Sequence, residues 1–336
     1  MATDLYSFAK DLYREFGPPK AMGQSAKSPS IPHFFLLRKF LDEQDLAILF
    51  NTKRCRYNCH FCALPAKSSL EFISGEHIAE QFLYVLQEVK HALGLVDRLT
   101  IANEGSVFDG STFPFDTLLN IVHTATALPN IRRLVFETRL EFLRDEALES
   151  IRQVGVGVLD ILTGFESLDR RIRDEVLVKR EPLDVFLTGL DVIARHRASL
   201  TTYVLFKPCP DMSDQEATSE ARASIEFLRD QCNQRGIPLT IRLNPMYAAR
   251  GTRWRAVAES TPSYSPPRLT DVLDLAREMQ ALGTRVYLGL TSEGLSEAPY
   301  TYRGRDDFAT GLLKLGILNN TRPSFSESVG KTEGGT

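Results

Sequence analysis

Short apolar runs alternate with helix-length amphipathic stretches along most of this chain, and that alternation restricts the fold more than any other feature. Strand candidates lie at residues 46–52, 98–103, 133–138, 158–164, 201–207 and 239–244, each a short run bounded by turn-forming or polar residues. Between them, residues 76–92, 115–127, 144–154, 183–197 and 214–235 carry apolar side chains at helical spacing. Strands that read as near-continuous hydrophobic runs are covered on both faces, and strand–helix–strand repetition calls for a parallel sheet. The sequence therefore predicts an α/β fold, a partial (β/α)6 TIM-like barrel with parallel strands, with a seventh strand at 286–290. Residues 1–40, with a helical start at 5–16 and a Ser/Pro-rich link, are expected to form an N-terminal helical cap and linker. The barrel is expected over 41–258, a C-terminal extension packing on it over 259–320, and a polar disordered tail over 321–336.

At 336 residues the chain is long enough for one barrel-sized domain. Hydrophobic residues at 43% and charged ones at 25% are ordinary for a soluble globular protein, and no stretch has the apolar length of a signal peptide or membrane span. Cysteines without an export signal point to a reducing cytoplasm, with no membrane partner. A net charge of −3 supplies no global basic field, which disfavours nucleic acid and favours a small substrate. Arg242, Arg250, Arg253 and Arg255 form a local basic cluster, read as a solvated rim.

Chemistry is concentrated in Cys55-Arg56-Tyr57-Asn58-Cys59-His60-Phe61-Cys62. Three thiols at this spacing, in the loop after the first strand, leave a metal site one ligand short. A tetrahedral zinc site needs a fourth Cys or His, and His60 would have to fold back on its neighbours. An iron–sulfur cube wants one ligand per iron and would keep one iron open. Disulfides are disfavoured, because five cysteines are an odd number and three are bunched together. Spacing alone leaves zinc, inert thiols and an open cluster as alternatives.

The pattern Cys55-x3-Cys59-x2-Cys62, with the aromatic Phe61 before the third cysteine, resembles the radical S-adenosylmethionine (SAM) superfamily. Segments at later strand ends resemble the branch that contains the Elongator catalytic subunit and the radical SAM subunit of archaeosine synthase. They are Asn103-Glu104-Gly105-Ser106, Glu137-Thr138-Arg139, Gly164-Phe165-Glu166-Ser167, Leu205-Phe206-Lys207-Pro208 and Asn244-Pro245 with Arg250-Gly251-Thr252.

The resemblance implies a [4Fe-4S] cluster on Cys55, Cys59 and Cys62, whose open iron is chelated by SAM. It also implies an electron donor such as flavodoxin or ferredoxin, and a 5′-deoxyadenosyl radical that abstracts hydrogen from a small-molecule or nucleoside-like substrate. Phe61, Asn103, Glu104, Ser106, Glu137, Arg139, Glu166 and Lys207 become the candidate SAM-binding residues. Asn-Glu-Gly stands where the family commonly has Gly-Gly-Glu, so Glu104, Ser106 or a backbone carbonyl is expected to meet the SAM ammonium, and Arg139 its carboxylate.

No acetyltransferase segment follows the barrel, so the Elongator activity is not implied. Cys209 and Cys232 are too few to ligate a second cluster and are expected to be small buried residues. Two other functions compete: a tRNA-modifying enzyme that cleaves a C–N bond on a modified base, and a non-catalytic metal-binding or redox-sensing barrel.

Overall fold

The computed structural model describes residues 28–289, apart from 67 and 250. Eight strands form one sheet in sequence order: β1 (Phe34–Phe40), β2 (Glu43–Phe50), β3 (Arg98–Asn103), β4 (Arg133–Glu137), β5 (Val158–Glu166), β6 (Ser199–Phe206), β7 (Leu239–Pro245) and β8 (Arg285–Leu288). From β2 to β8 every pairing is parallel, and only β1 runs antiparallel, on β2. The helices are α1 (Gly75–Glu88), α2 (Phe115–Thr126), α3 (Asp145–Gln153), α4 (Leu183–Arg195), α5 (Asp214–Arg235), α6 (Arg253–Ser260) and α7 (Leu269–Ala281).

Six strands, β2 to β7, each lead into a helix, so the partial (β/α)6 barrel expected from the sequence is present, with β8 as the seventh parallel strand. All six residues of β3 are buried, as a strand covered on both faces requires. The helices are punctuated where the sequence provides caps. Ser74 caps α1 by accepting from His77 N, and Ser213 with Glu216 closes a capping box on α5, which ends on the left-handed Gly236.

One strand is a correction. The sequence predicts none before residue 46, yet Phe34–Phe40 pairs with β2 through its whole length. The Phe-Phe-Leu-Leu run sits directly after a Ser/Pro-rich link and directly before β2, which disguised it as part of a linker. The predicted helical start at 5–16, the end of the C-terminal extension and the tail lie outside the described residues. Among the described residues no helix is long and apolar enough to cross a membrane.

An open barrel has two edges, and here they meet at the N-terminal end of the parallel strands. Phe40 at the end of β1 stacks on Tyr287 of β8 with ring centroids 4.3 Å apart, and Asp42 pairs with Arg285 at 2.7 Å. Below the barrel interior lies a polar floor. Arg98 pairs with Glu43 at 3.0 Å and Asp160 at 3.4 Å, Arg38 with Asp45 at 2.9 Å, and Arg133 with Glu43 at 2.6 Å. Thr100 and Thr201 donate to the same two aspartates, Asp45 and Asp160, and the Arg98 guanidinium lies 4.0 Å over the Phe40 ring. Such buried networks offset their desolvation cost only while every partner is present. Replacing Arg98 by Leu, which leaves buried carboxylates without their shared cation, is expected to cost about 3–5 kcal/mol. Urea unfolding of the variant would show it as a lowered midpoint with an unchanged slope.

Candidate active site

The loop after β2 is pinned at each step along its length. Arg54 N donates to Ser69 O at 2.7 Å, and Arg56 reaches Asp109 through Nη2 at 2.8 Å and Nε at 3.2 Å. The Tyr57 hydroxyl donates to the Glu141 carboxylate, and the Arg139 guanidinium lies 3.8 Å over the Tyr57 ring. His60 donates from its backbone to Leu177 O and accepts from Trp254 N, both at 2.9 Å. Phe61 packs against the small apolar cluster of Ile172, Leu177, Leu205, Cys209, Met246 and Trp254. Side chains on five different elements therefore fix a segment with no regular structure of its own.

The three thiols of that loop face one cavity at the C-terminal ends of the strands, where barrel folds keep their sites. Burial pushes all three thiols up, Cys62 to about 12; for Cys59 the nearest opposing influence is the Lys179 ammonium. Opposite the loop the cavity is lined by Asn103 and Glu104 after β3, Glu137 and Arg139 after β4, Thr163 and Glu166 of β5, Tyr203 and Leu205 of β6, and Arg242 and Asn244 of β7.

Within that ring the candidate residues differ in what their side chains do. Glu104 is spent inside the fold: its Oε2 accepts from Thr52 N at 3.0 Å and Thr52 Oγ1 at 3.1 Å, and its other oxygen meets His33. Burial pushes its carboxyl up to about 8. Asn103 donates to Thr52 and Thr112 and accepts from Gly105 N at 3.1 Å, which fixes the turn. That turn lies against the cluster loop: a Cβ at Gly105 would stand in van der Waals contact with Cys55, 3.4 Å from its Cβ. Glu137 accepts from the Tyr203 hydroxyl at 3.3 Å, and Arg242 Nη1 donates to the Tyr203 hydroxyl oxygen at 3.4 Å.

Glu166 sits at a bulge in β5 with φ 71°. Its carboxylate is raised by burial and faces Lys179 Nζ at 3.6 Å, while Lys179 also meets Glu181 at 3.2 Å. A Cβ on Gly164 would collide with Glu166 Oε1, so the Gly-Phe-Glu order is dictated by space. Lys179 arrives from a strained segment: the turn Ile172–Val176 is a π-helix, and Val178 and Arg180 on either side of the lysine hold φ of 52° and 55°. Backbone strain of this kind, about 1–3 kcal/mol per residue, persists where the surroundings impose it.

Cys55, Cys59, Cys62, Phe61, Asn103, Glu104, Glu137, Arg139 and Glu166 thus line one cavity, and two predicted residues do not. Ser106 is buried under the rim, where its hydroxyl accepts from Arg139 N at 3.0 Å. Lys207, at φ 63°, turns away from the cavity to Asp214 at 2.9 Å and Ser265 at 3.1 Å. Arg139 lines the cavity, but its guanidinium donates to Lys179 O at 2.8 Å, Arg180 O at 3.1 Å and Glu141 at 3.2 Å.

Sequence reasoning missed Tyr57, Thr163, Lys179 and Tyr203, named Asn244 at a strand end without a role, and placed Arg242 on a solvated rim although Arg242 is buried. Strand alternation held the signal for Tyr203 with Leu205 and for Arg242 with Asn244, two residues apart and on one face. Of the other arginines in that cluster, Arg253 is exposed, Arg255 pairs with Glu259 at 2.6 Å, and Arg250 lies outside the described residues. Cys209 and Cys232 are buried in apolar surroundings, as expected.

The donor set fits an iron–sulfur cube with an open corner. No three His, Cys, Asp or Glu side chains among the described residues close on one point as a single ion requires, whereas a cube spreads its thiolates over separate irons. Beyond the thiols, Thr163 Oγ1 and Asn244 Oδ1 line the cavity as buried atoms that lack hydrogen-bond partners, the condition of a surface awaiting a polar ligand.

Comparison with known proteins agrees. Residues 51–211 match the family model described as the Radical SAM superfamily. An uncharacterized protein of Methanocaldococcus jannaschii is 23% identical over 266 residues, covering 77% of this chain and 71% of that one. The archaeosine synthase subunit beta of Thermococcus kodakarensis is 20% identical over 218 residues, covering 65% of this chain and 64% of its own length, just under two thirds. Among solved structures, a radical SAM methyltransferase from Sphaerobacter thermophilus shares the fold, with a TM-score of 0.53 at 12% identity over 77% of this chain and 69% of that one. Residues 51–211 thus carry a radical SAM domain, the mark of enzymes that use a [4Fe-4S] cluster and SAM.

Proposed function

We propose that this enzyme cleaves SAM reductively and abstracts a hydrogen atom from a small-molecule or nucleoside-like substrate. The observation that carries this is the convergence, on one cavity, of the three loop thiols with polar residues from β3 to β7. Cys55, Cys59 and Cys62 would hold the cluster, which when bound would supply the one electron that reductive cleavage of SAM requires.

The chain's own residues divide the remaining work. Lys179, held between Glu166 and Glu181, presents a buried cation beside Cys59 for a carboxylate group. Glu137, Thr163 and Asn244 offer oxygens to ammonium and hydroxyl groups on the facing wall. Phe61, Leu205 and Met246 give the cavity an apolar flank that excludes water from a reactive radical. Arg139 acts through the fold, as a positioning residue for the cluster loop, since its two terminal nitrogens are engaged by two backbone carbonyls and Glu141.

A substrate carried on tRNA is the second reading, favoured by the similarity to the archaeosine synthase subunit. It requires binding that weakens steeply with salt. The superfamily match sets aside the non-catalytic sensor.

Anaerobic reconstitution tests the first reading. The full chain is expected to take up iron and sulfide, turn brown, and form 5′-deoxyadenosine from SAM when reduced with dithionite. Cys59→Ala is expected to lose both the colour and the product. Protein that binds no iron would overturn the assignment.

Two further variants separate positioning from contact. Arg139→Leu is expected to keep its far-UV circular dichroism and to lose iron to a chelator several-fold faster than the parent. Lys207→Ala, outside the cavity, is expected to bind SAM like the parent, measured by calorimetry on the reconstituted protein, whereas Lys179→Ala weakens binding at least about tenfold.

A further inference from the structure

Lys53 and Arg54 stand immediately before Cys55, both exposed, and neither makes an ion pair among the described residues. Their backbone is tied to the strap that follows the cluster loop: Lys53 bridges Ser69 in parallel, and Arg54 N donates to Ser69 O at 2.7 Å. Those bonds seat two large apolar side chains alongside the cations, Leu70 at 71% exposure and Phe72 at 52%. Single exposed apolar residues are ordinary. Two of them on a strap that backbone bonds join to a pair of unpaired cations make a mixed patch of the composition transient interfaces use.

Position decides what the patch is for. None of the four residues lines the cavity, so cosubstrate and substrate can fill that cavity without touching them. Adjacent residues are about 3.8 Å apart along the chain, so a partner seated on Lys53 and Arg54 lies within two residues of Cys55 and outside the cavity lining. The cluster needs such an approach, because its reductant has to reach it while the cavity is occupied.

We propose that Lys53, Arg54, Leu70 and Phe72 form the docking surface for a small acidic one-electron carrier protein. This rests on the cluster assignment above. One electron leaves the carrier, which is oxidised, and enters the cluster, which is reduced; no bond is made or broken at the interface. The carrier's acidic face follows from charge, since the patch stays net positive with Glu71 counted, on a chain whose net charge is −3. A polynucleotide would want an uninterrupted basic stripe. Here Glu71 divides the two apolar residues, and Asp109 already engages Arg56, the next cation along.

The test uses the reconstituted full chain and two reductants, dithionite and photoreduced flavodoxin. Charge reversal at Lys53→Glu with Arg54→Glu, and separately Phe72→Ser, is expected to leave iron content and dithionite-driven reduction at parental levels. Flavodoxin-driven reduction, followed by the bleaching of the cluster absorbance, is expected to slow by about tenfold in the charge-reversal variant. Its parental rate is also expected to fall steeply between low and physiological salt. If flavodoxin reduces variant and parent equally, or fails to reduce the parent at all, the docking surface is overturned while the cluster assignment stands. If the variant instead loses affinity for tRNA at an unchanged flavodoxin rate, the patch is a nucleic-acid contact and the proposal is wrong. Failure of dithionite to reduce the parent would refute the cluster assignment itself.

Discussion

The Arg139 guanidinium joins three segments that are remote in sequence. It stacks on Tyr57 between two cluster cysteines, pairs with Glu141 after β4, and donates to the carbonyls of Lys179 and Arg180 in the strained turn after β5. A planar donor with five N–H groups is suited to this because it can satisfy several acceptors and present a flat face at once. Without it the cluster loop, which has no ladder of backbone hydrogen bonds, would lose the cation that packs on Tyr57 between its first two cysteines. The same contact also brings the strained lysine to the cavity wall, so loop order and cavity charge are set together.

Polarity divides the barrel along its axis. At the closed end, arginines and carboxylates pair in one buried network, and Phe40 with Tyr287 seals the seam between the two edge strands. Towards the mouth, the buried oxygens of Thr163 and Asn244 line the cavity without partners, and the carboxyls of Glu104 and Glu166 are raised by burial. A fold that gathers its ion pairs at one end and its thiols around a cavity at the other has put its stability and its chemistry in different places.

Most of the fold was legible because each parallel strand is a short apolar run followed by a helix of distinct period. β1 was not, since its hydrophobic run adjoins a Ser/Pro-rich link and pairs as a hairpin rather than through a helix. In the site, the cysteines were legible from spacing, and Glu137 and Glu166 from their places at strand ends. Lys207 occupies an equivalent place yet points elsewhere, because its positive φ turns the side chain towards Asp214 at the start of α5. Lys179 carried no such signal. It follows no strand, and only the π-turn and the two left-handed residues around it deliver it inward.

Cys209 and Cys232 are enclosed by apolar neighbours that push both thiols up to about 12. Both are closed to solvent, whereas Cys55, Cys59 and Cys62 are half-buried and line the open cavity. The fold thereby quarantines the sulfur chemistry of this chain. Whatever oxygen or electrophile does to the apoprotein falls on Cys55, Cys59 and Cys62, and the damage has no buried thiol through which to spread into the core.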